Sequence, residues 1–386
     1  MFSFLNRKQP DIPGILSFQC TGKEKRNALL IYIPWALRAW KQNAYKEEDF
    51  NGHSMHWESI EMVKILNANN YNVDVADCTA PTPVIEWGKY SLILDERNSI
   101  YNSPRINGQQ KIHYATGCQW LTHNLGELQR IQSFRDRYGI AMPCIRQVAP
   151  FLAEATADIV TYFGGNFQRN SFTRPEKTFR LFQTTTCNPV VKEKNMEASR
   201  NNFLWLGSNG FILKGLDVVL EAFKKQPALS LFIATNLESE PEFFEWYMGN
   251  FGSCENIQYC GWMNVQETTF QQVADNCIGT INCSVTEGGA GATVQAMKFG
   301  CIPIVNDVVD DATFLKGDKT GFKIEGRTAP ELIASLDVFL NEFKDISMVE
   351  LQERSLRSRQ YANIYHSREN YTKTFRELLD KVHAQN

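Results

Sequence analysis

The sequence predicts an α/β protein built from two units, each a parallel β-sheet covered by helices. Three observations carry that expectation. Residues 278–305 run through a short apolar strand, a glycine-rich loop, a helix and a second apolar strand, the order of a right-handed βαβ crossover. The first half of the chain repeats the alternation of short strands and helices. At 386 residues the chain is longer than one hydrophobic core usually serves, so two domains are expected.

Composition narrows the class. A hydrophobic content of 43% with 22% charged residues is that of a globular protein, and the formal net charge of −3 points to no nucleic-acid partner. The ten cysteines include no C-x-x-C pair, which argues against a zinc ribbon or a redox dithiol and for reduced thiols in a cytosolic protein. The start, MFSFLNRKQPDIPGILSF, is broken by charges and two prolines and does not read as a signal peptide. No apolar run approaches the ~20 residues that span a bilayer. A cytoplasmic protein, soluble or at most peripheral at the inner face of a membrane, is expected.

Taken in order, residues 1–27 read as a poorly structured lead-in. Residues 28–33 (ALLIYI) are the first strand, and Pro34 ends it. The loop to residue 53 is long for a βα connection, and such loops tend to be functional. Gly52, His53 and Ser54 stand at the entrance of a helix over 57–66, as ligand contacts or with Ser54 as an N-cap. Strands follow at 71–76 and 90–94. Asp95-Glu96-Arg97-Asn98 reads as a charged loop, with no Asp-x-Asp to hold a metal. In the strand at 111–115, His113 reads as a packed strand residue. His123 and Asn124 precede a helix over 125–138 that carries Leu128, Ile131 and Phe134 on one side and Arg130, Arg135 and Arg137 elsewhere. Those arginines suit an anionic lipid surface or a solvated, salt-bridged face. A strand at 157–163 turns through Gly164-Gly165-Asn166 into a short helix. The irregular stretch 183–201, with its TTT and Asn188-Pro189, reads as a linker between domains at 1–182 and 202–366.

In the second half, a strand at 203–206 leads through Gly207–Gly210 to a helix over 215–223, with Lys214 just before it. A lysine there reaches a diphosphate as a point charge or stands in solvent. Strands at 230–234 and 257–260 flank a helix over 241–248, and Gly261-Trp262-Met263 follows. The strand at 278–284 ends in Thr286-Glu287-Gly288-Gly289-Ala290-Gly291. Free backbone N–H groups and a helix N-terminus suit a phosphate, and Glu287 stands at the carboxyl end of the strand, where open α/β sheets bind ligands. Gln295 lies about two turns along the helix at 292–299, roughly over the same face. That arrangement suits a ligand with hydroxyls and phosphates, such as a nucleotide sugar. A tight strand-to-helix turn with a solvated Glu accounts for the glycines alone. Asp310 and Asp311 read as caps of a following helix. Amphipathic helices at 329–339, 348–366 and 368–384 complete the chain.

The two glycine loops together carry a resemblance. Gly207-Ser208, then Lys214-Gly215, then Glu287-x7-Gln295 and the strand after Gly300 resemble the C-terminal domain of GT-B glycosyltransferases, in particular the retaining family 4 or "glycosyl transferases group 1" type, over roughly residues 200–325. Two positions depart from the pattern: Ser208 stands where those enzymes have Arg, and Gln295 where they have the second Glu. The resemblance implies two Rossmann-like domains facing each other across a cleft, with residues 367–386 crossing back to the first. It implies transfer of a sugar from a nucleoside-diphosphate sugar to a glycan or lipid-linked glycan, with retention, in polysaccharide biosynthesis. Lys214 and Glu287 would then be catalytic, with His123 as an acceptor-side group. Gly207, Ser208, Lys214, Trp262, Glu287, Gly288, Gly289, Ala290, Gly291 and Gln295 would hold the donor, and Gly52, His53 and Ser54 the acceptor. No metal and no cofactor are implied, and a UDP-sugar is the first donor to test. Ser208 and Gln295 also suit a non-catalytic homologue that binds glycan or a partner transferase, and the architecture also suits a nucleotide-sugar epimerase. A dinucleotide oxidoreductase is disfavoured, since Val294 replaces the third glycine of G-x-G-x-x-G.

Overall fold

The computed structural model describes residues 14–50, 52–81, 83–189, 194–309 and 319–384. Asp310 and Asp311 lie outside the described residues. One sheet contains β1 (Leu16–Phe18), β2 (Arg26–Tyr32), β3 (Tyr71–Asp77), β4 (Leu92–Asp95), β5 (Gln110–His113), β6 (Ile159–Tyr162) and β7 (Thr178–Arg180), in the order β1-β3-β2-β4-β5-β6-β7. The other contains β8 (Asn202–Leu206), β9 (Ser230–Ala234), β10 (Ile257–Gly261), β11 (Gly279–Asn282), β12 (Ile302–Asn306) and β13 (Phe322–Ile324), in the order β10-β9-β8-β11-β12-β13. The helices before residue 200 are α1 (Trp35–Lys41), α2 (Met55–Ala68), α3 (Trp120–Tyr138), α4 (Asn166–Ser171) and α5 (Met196–Ser199). After it come α6 (Leu216–Lys224), α7 (Pro241–Phe251), α8 (Thr268–Asp275), α9 (Gly291–Lys298), α10 (Ala329–Phe343), α11 (Met348–Tyr365) and α12 (Arg368–His383).

The described chain divides into two compact units. Met1–Tyr114, Leu152–Thr161 and Phe375–Asn386 belong to the first, and Ala115–Phe151 and Tyr162–Thr374 to the second. Residues 115–151 and 162–182 thus lie in the second unit, whereas the sequence predicts a first domain over 1–182.

In the first unit β2 pairs in parallel with β3 and β4, β4 with β5, and β5 with β6. Ala28 to Tyr32 are all buried, the continuous apolar run expected of a central strand covered on both faces. Two features depart from the sequence reading. β1 lies in the expected lead-in and pairs antiparallel with β3, Leu16 opposite Val75. The long loop after β2 contains α1, a helix of seven residues that buries Ala36 and Leu37. Elements this short draw their stability from tertiary partners rather than from their own pattern.

His113 is the packed strand residue the sequence suggested. Its ring is buried, and Nδ1 donates to the Asp95 carbonyl at 3.1 Å. Burial lowers its pKa from 6.5 to about 4. The unfolded chain therefore holds the extra proton between those values, and the folded chain loses stability as pH falls from 6.5 towards 4. From pH 7 to pH 5 this one residue should remove about 2 kcal/mol. His113→Asn, which keeps the donor to Asp95, should flatten the acid limb of the urea midpoint by that amount.

In the second unit β8 pairs in parallel with both β9 and β11, and β12 with both β11 and β13. The chain leaves β8 to build β9 and β10 on one side, and later returns to place β11, β12 and β13 on the other. The order therefore reverses between β8 and β11, and ligands of open α/β sheets bind at the carboxyl ends of the strands at such a point. The core beneath holds Phe203, Phe223 and Phe343, with Phe203 edge-on to both of the others. α3 starts five residues earlier than its apolar spacing suggested, because the Gln119 side chain caps it by accepting from Leu121 N at 2.8 Å.

Candidate active site

The two loops that leave β8 and β11 meet at the switch point. Gly215 adopts φ +75°, and a Cβ on it would stand 2.4 Å from the Cys283 carbonyl oxygen. Only glycine lets the turn before α6 lie this close to the end of β11. Val285 N donates to Leu213 O at 2.9 Å and ties the two loops together. Lys214 is thereby held at the carboxyl ends of both strands. Its Nζ donates to Ser208 Oγ at 2.8 Å. Burial lowers the Lys214 pKa, and the nearby Glu287 carboxylate opposes that shift.

Glu287 is half-buried in the loop after β11. Its Oε1 accepts from the Gly288 amide at 3.2 Å, and its Oε2 lies 3.1 Å from Ser284 Oγ. The Ser284 hydroxyl also lies 2.7 Å from Asn282 Oδ1, and Asn282 Nδ2 donates to Thr293 Oγ1 at 3.1 Å, so the carboxylate rests on a chain that runs into α9. Ala290 adopts φ +50° at the start of α9, an unusual conformation for a residue with a side chain.

The glycines have a packing reason that the sequence did not reveal. A Cβ on Gly288 would stand 2.4 Å from Thr116 O, and one on Gly289 would stand 2.5 Å from Gln183 Oε1. One on Gly291 would stand 2.6 Å from Gln183 Nε2. The buried Gln168 amide holds the loop from below, accepting from Gly165 N at 2.8 Å and donating to Glu287 O at 3.0 Å and Val308 O at 2.8 Å.

The structure brings Gly207, Ser208, Lys214, Glu287 and Gly288–Gly291 together and gives other expected residues different partners. His123 Nε2 lies 2.7 Å from the Arg146 carbonyl, which only accepts, so Nε2 carries the proton. Nδ1 then accepts from Thr286 Oγ1 at 2.9 Å. Both ring nitrogens are occupied, and His123 positions the loop that carries Glu287. Gln295 is 4% exposed, and its amide is spent on the chain at 186–187. Oε1 accepts from Thr186 N at 3.2 Å and Cys187 N at 3.1 Å, while Nε2 donates to Cys187 O at 3.0 Å. A Gln reads a backbone donor and acceptor at once, which a carboxylate could not do. Trp262, following β10, is 61% exposed. Gly52, His53 and Ser54 belong to the first unit. There His53 Nδ1 accepts from Met55 N at 3.1 Å, and the buried Ser54 Oγ makes no N-cap bond.

Three charged residues missed in the sequence complete the surroundings. Glu127, buried on α3, accepts from Ile145 N at 2.9 Å and Arg146 N at 2.8 Å, and from Gln147 Nε2 at 2.7 Å. Glu240 accepts from Phe211 N at 3.2 Å and also from Gly210 N. The Arg146 stem crosses Gly210, its Cγ 2.6 Å from where a Cβ on that glycine would be. None has a local sequence signal, since each arrives from a distant element.

No protein-family model and no curated protein matches the chain. Solved structures do match in shape. A sucrose-phosphate synthase from Thermosynechococcus elongatus superposes with a TM-score of 0.57 at 10% identity, over 94% of this chain and 100% of that one. HepE of Anabaena, in a structure with UDP and glucose, gives 0.54 at 10% identity over 92% of this chain and 100% of its own. A glycosyltransferase from Rickettsia africae gives 0.53 at 11% identity, over 94% of this chain and 100% of that one. With two α/β sheets, the second parallel and the first parallel but for β1, and neighbours of this kind across its length, the chain has the GT-B fold of glycosyltransferases.

Proposed function

We propose that the chain is a glycosyltransferase that moves a sugar from a nucleoside-diphosphate donor to a hydroxyl of a glycan or lipid-linked glycan, with retention of configuration. One observation carries the reading: Lys214 and Glu287 come from separate loops and converge where the strand order reverses, beside the start of α9. Lys214 and backbone amides of the glycine loop stabilise charge on the departing diphosphate. Glu287 accepts hydroxyls of the sugar. Ser284 and Asn282 orient that carboxylate, and His123, through Thr286, holds its loop. The acceptor attacks on the face from which the diphosphate leaves, and no metal takes part. Peripheral contact with an anionic membrane on the cytoplasmic side suits the outward face of α3, where Leu121, Leu125, Leu128 and Arg135 are exposed.

The burial of the Gln295 amide against 186–187 favours one second reading, a non-catalytic homologue that binds glycan or a partner transferase and holds nucleotide sugars poorly. Release of free nucleoside diphosphate from UDP-glucose, UDP-N-acetylglucosamine and GDP-mannose distinguishes the two. A transferase should hydrolyse its own donor slowly, at a rate unchanged by EDTA. A folded protein that neither binds nor consumes any of the three, with or without glycan acceptors, would leave the second reading standing.

A further inference from the structure

The cationic side of this site is only partly explained by Lys214. Ser208, its hydrogen-bond partner, is neutral, and no ion pair involving Lys214 is found among the described residues. A second cation lies beside it. Lys214 N donates to Gly210 O at 2.8 Å, closing one turn, and the Arg146 side chain lies across the Gly210 end of that turn. Gly210 takes φ +91°, and the Arg146 Cγ, Cδ and Nε would stand 2.6, 3.1 and 3.6 Å from a Cβ there, so the glycine makes room for the arginine stem. The Arg146 backbone is fixed on both sides, its N–H by Glu127 and its carbonyl by His123. Its half-buried guanidinium has no hydrogen-bond or ion-pair partner among the described residues.

Two cations held side by side repel. The Arg146 charge is among the causes that lower the Lys214 pKa. Two carboxylates lie close. Glu240 is engaged by the Gly210 and Phe211 amides, and Glu287 by Ser284 and Gly288. Neither forms an ion pair with Arg146 or Lys214 among the described residues. Such a pair suits an anion with more than one charge and several acceptor oxygens, and a planar guanidinium beside an ammonium matches a diphosphate.

We propose that Arg146, reaching over from the segment after α3, is the second cation of the diphosphate subsite and supplies the charge that the loop after β8 lacks at Ser208. The proposal rests on the nucleotide-sugar reading above. It makes the segment 145–147, held by Glu127, part of the donor site.

The test compares diphosphate with monophosphate. UDP and UMP are titrated into wild type, Arg146→Ala, Arg146→Lys and Lys214→Ala by calorimetry, with the GDP/GMP and ADP/AMP pairs in parallel to find the preferred base. Arg146→Ala should weaken the diphosphate roughly 10- to 100-fold and the monophosphate much less, reducing the preference between them. Arg146→Lys should recover part of the loss, and thermal midpoints should stay within a degree or two of wild type. If wild type and Lys214→Ala differ as expected while Arg146→Ala keeps wild-type affinity, the donor-site reading stands and the role of Arg146 is overturned. Equal weakening of both nucleotides would assign Arg146 a structural role and also overturn it. If wild type binds no nucleoside diphosphate, both fall.

Discussion

Lys214→Ala should lower donor turnover by two to three orders of magnitude while leaving the fold intact. The ammonium is half-buried at the carboxyl ends of β8 and β11, and its hydrogen bond goes to one neutral hydroxyl, that of Ser208. In such a place its charge is weakly screened, and any anion formed beside it gains more than it would in water. Removing a preorganised donor aimed at developing charge typically costs about 2.7–4 kcal/mol of barrier, which is a factor of roughly 10²–10³. Stability should not fall with it. Burial already disfavours the charged lysine, as its lowered pKa shows, so its removal relieves a desolvation cost. Steady-state rates of nucleotide release, paired with a thermal midpoint, check both halves. A tenfold loss or less would mean that Lys214 does not meet the leaving group.

Gly215→Ala should be the most damaging small substitution in the second unit. At φ +75° any side chain costs about 1–2 kcal/mol of backbone strain. The new Cβ would also stand 2.4 Å from the carbonyl oxygen and 2.8 Å from the carbonyl carbon of Cys283, both backbone atoms of the strand end. Neither can swing aside as a flexible side chain does, so α6 must move away from β11 and loosen the packing of Leu216, Val219 and Phe223. A loss of more than about 3 kcal/mol is expected, which lowers the thermal midpoint by roughly 6–12 °C for a unit of this size. Gly249→Ala is the control: it lies inside α7 with nothing within 4 Å of an added Cβ, and should be neutral or slightly stabilising. Similar midpoints for the two variants would contradict the close approach at Gly215.

Much of this architecture is legible in the residues, for identifiable reasons. Central strands such as β2 and β12 are continuous apolar runs because both faces are covered, and a run of that kind needs no partner to be recognised. β1, β13 and α1 escape, since three- and seven-residue elements exist only through what they pack on. In the site, Lys214 and Glu287 stand out because each is tied to a local strand–glycine–helix pattern. That the two loops meet depends on β11 pairing with β8 rather than with its sequence neighbour β10, which no local pattern states. Gln295 shows the limit of spacing. It lies about two turns along the helix from Glu287, yet its amide turns to the backbone at 186–187. Arg146 shows the converse, a residue without a motif brought beside Lys214 by the fold.

The donor site is tested most simply by calorimetric titration of the wild-type protein with UDP, GDP and ADP. Micromolar binding of one of them is expected, abolished by Lys214→Ala and lost progressively with added salt, as when a cationic site holds a diphosphate. A folded protein that shows no heat with any of the three would contradict a donor site at the ends of β8 and β11.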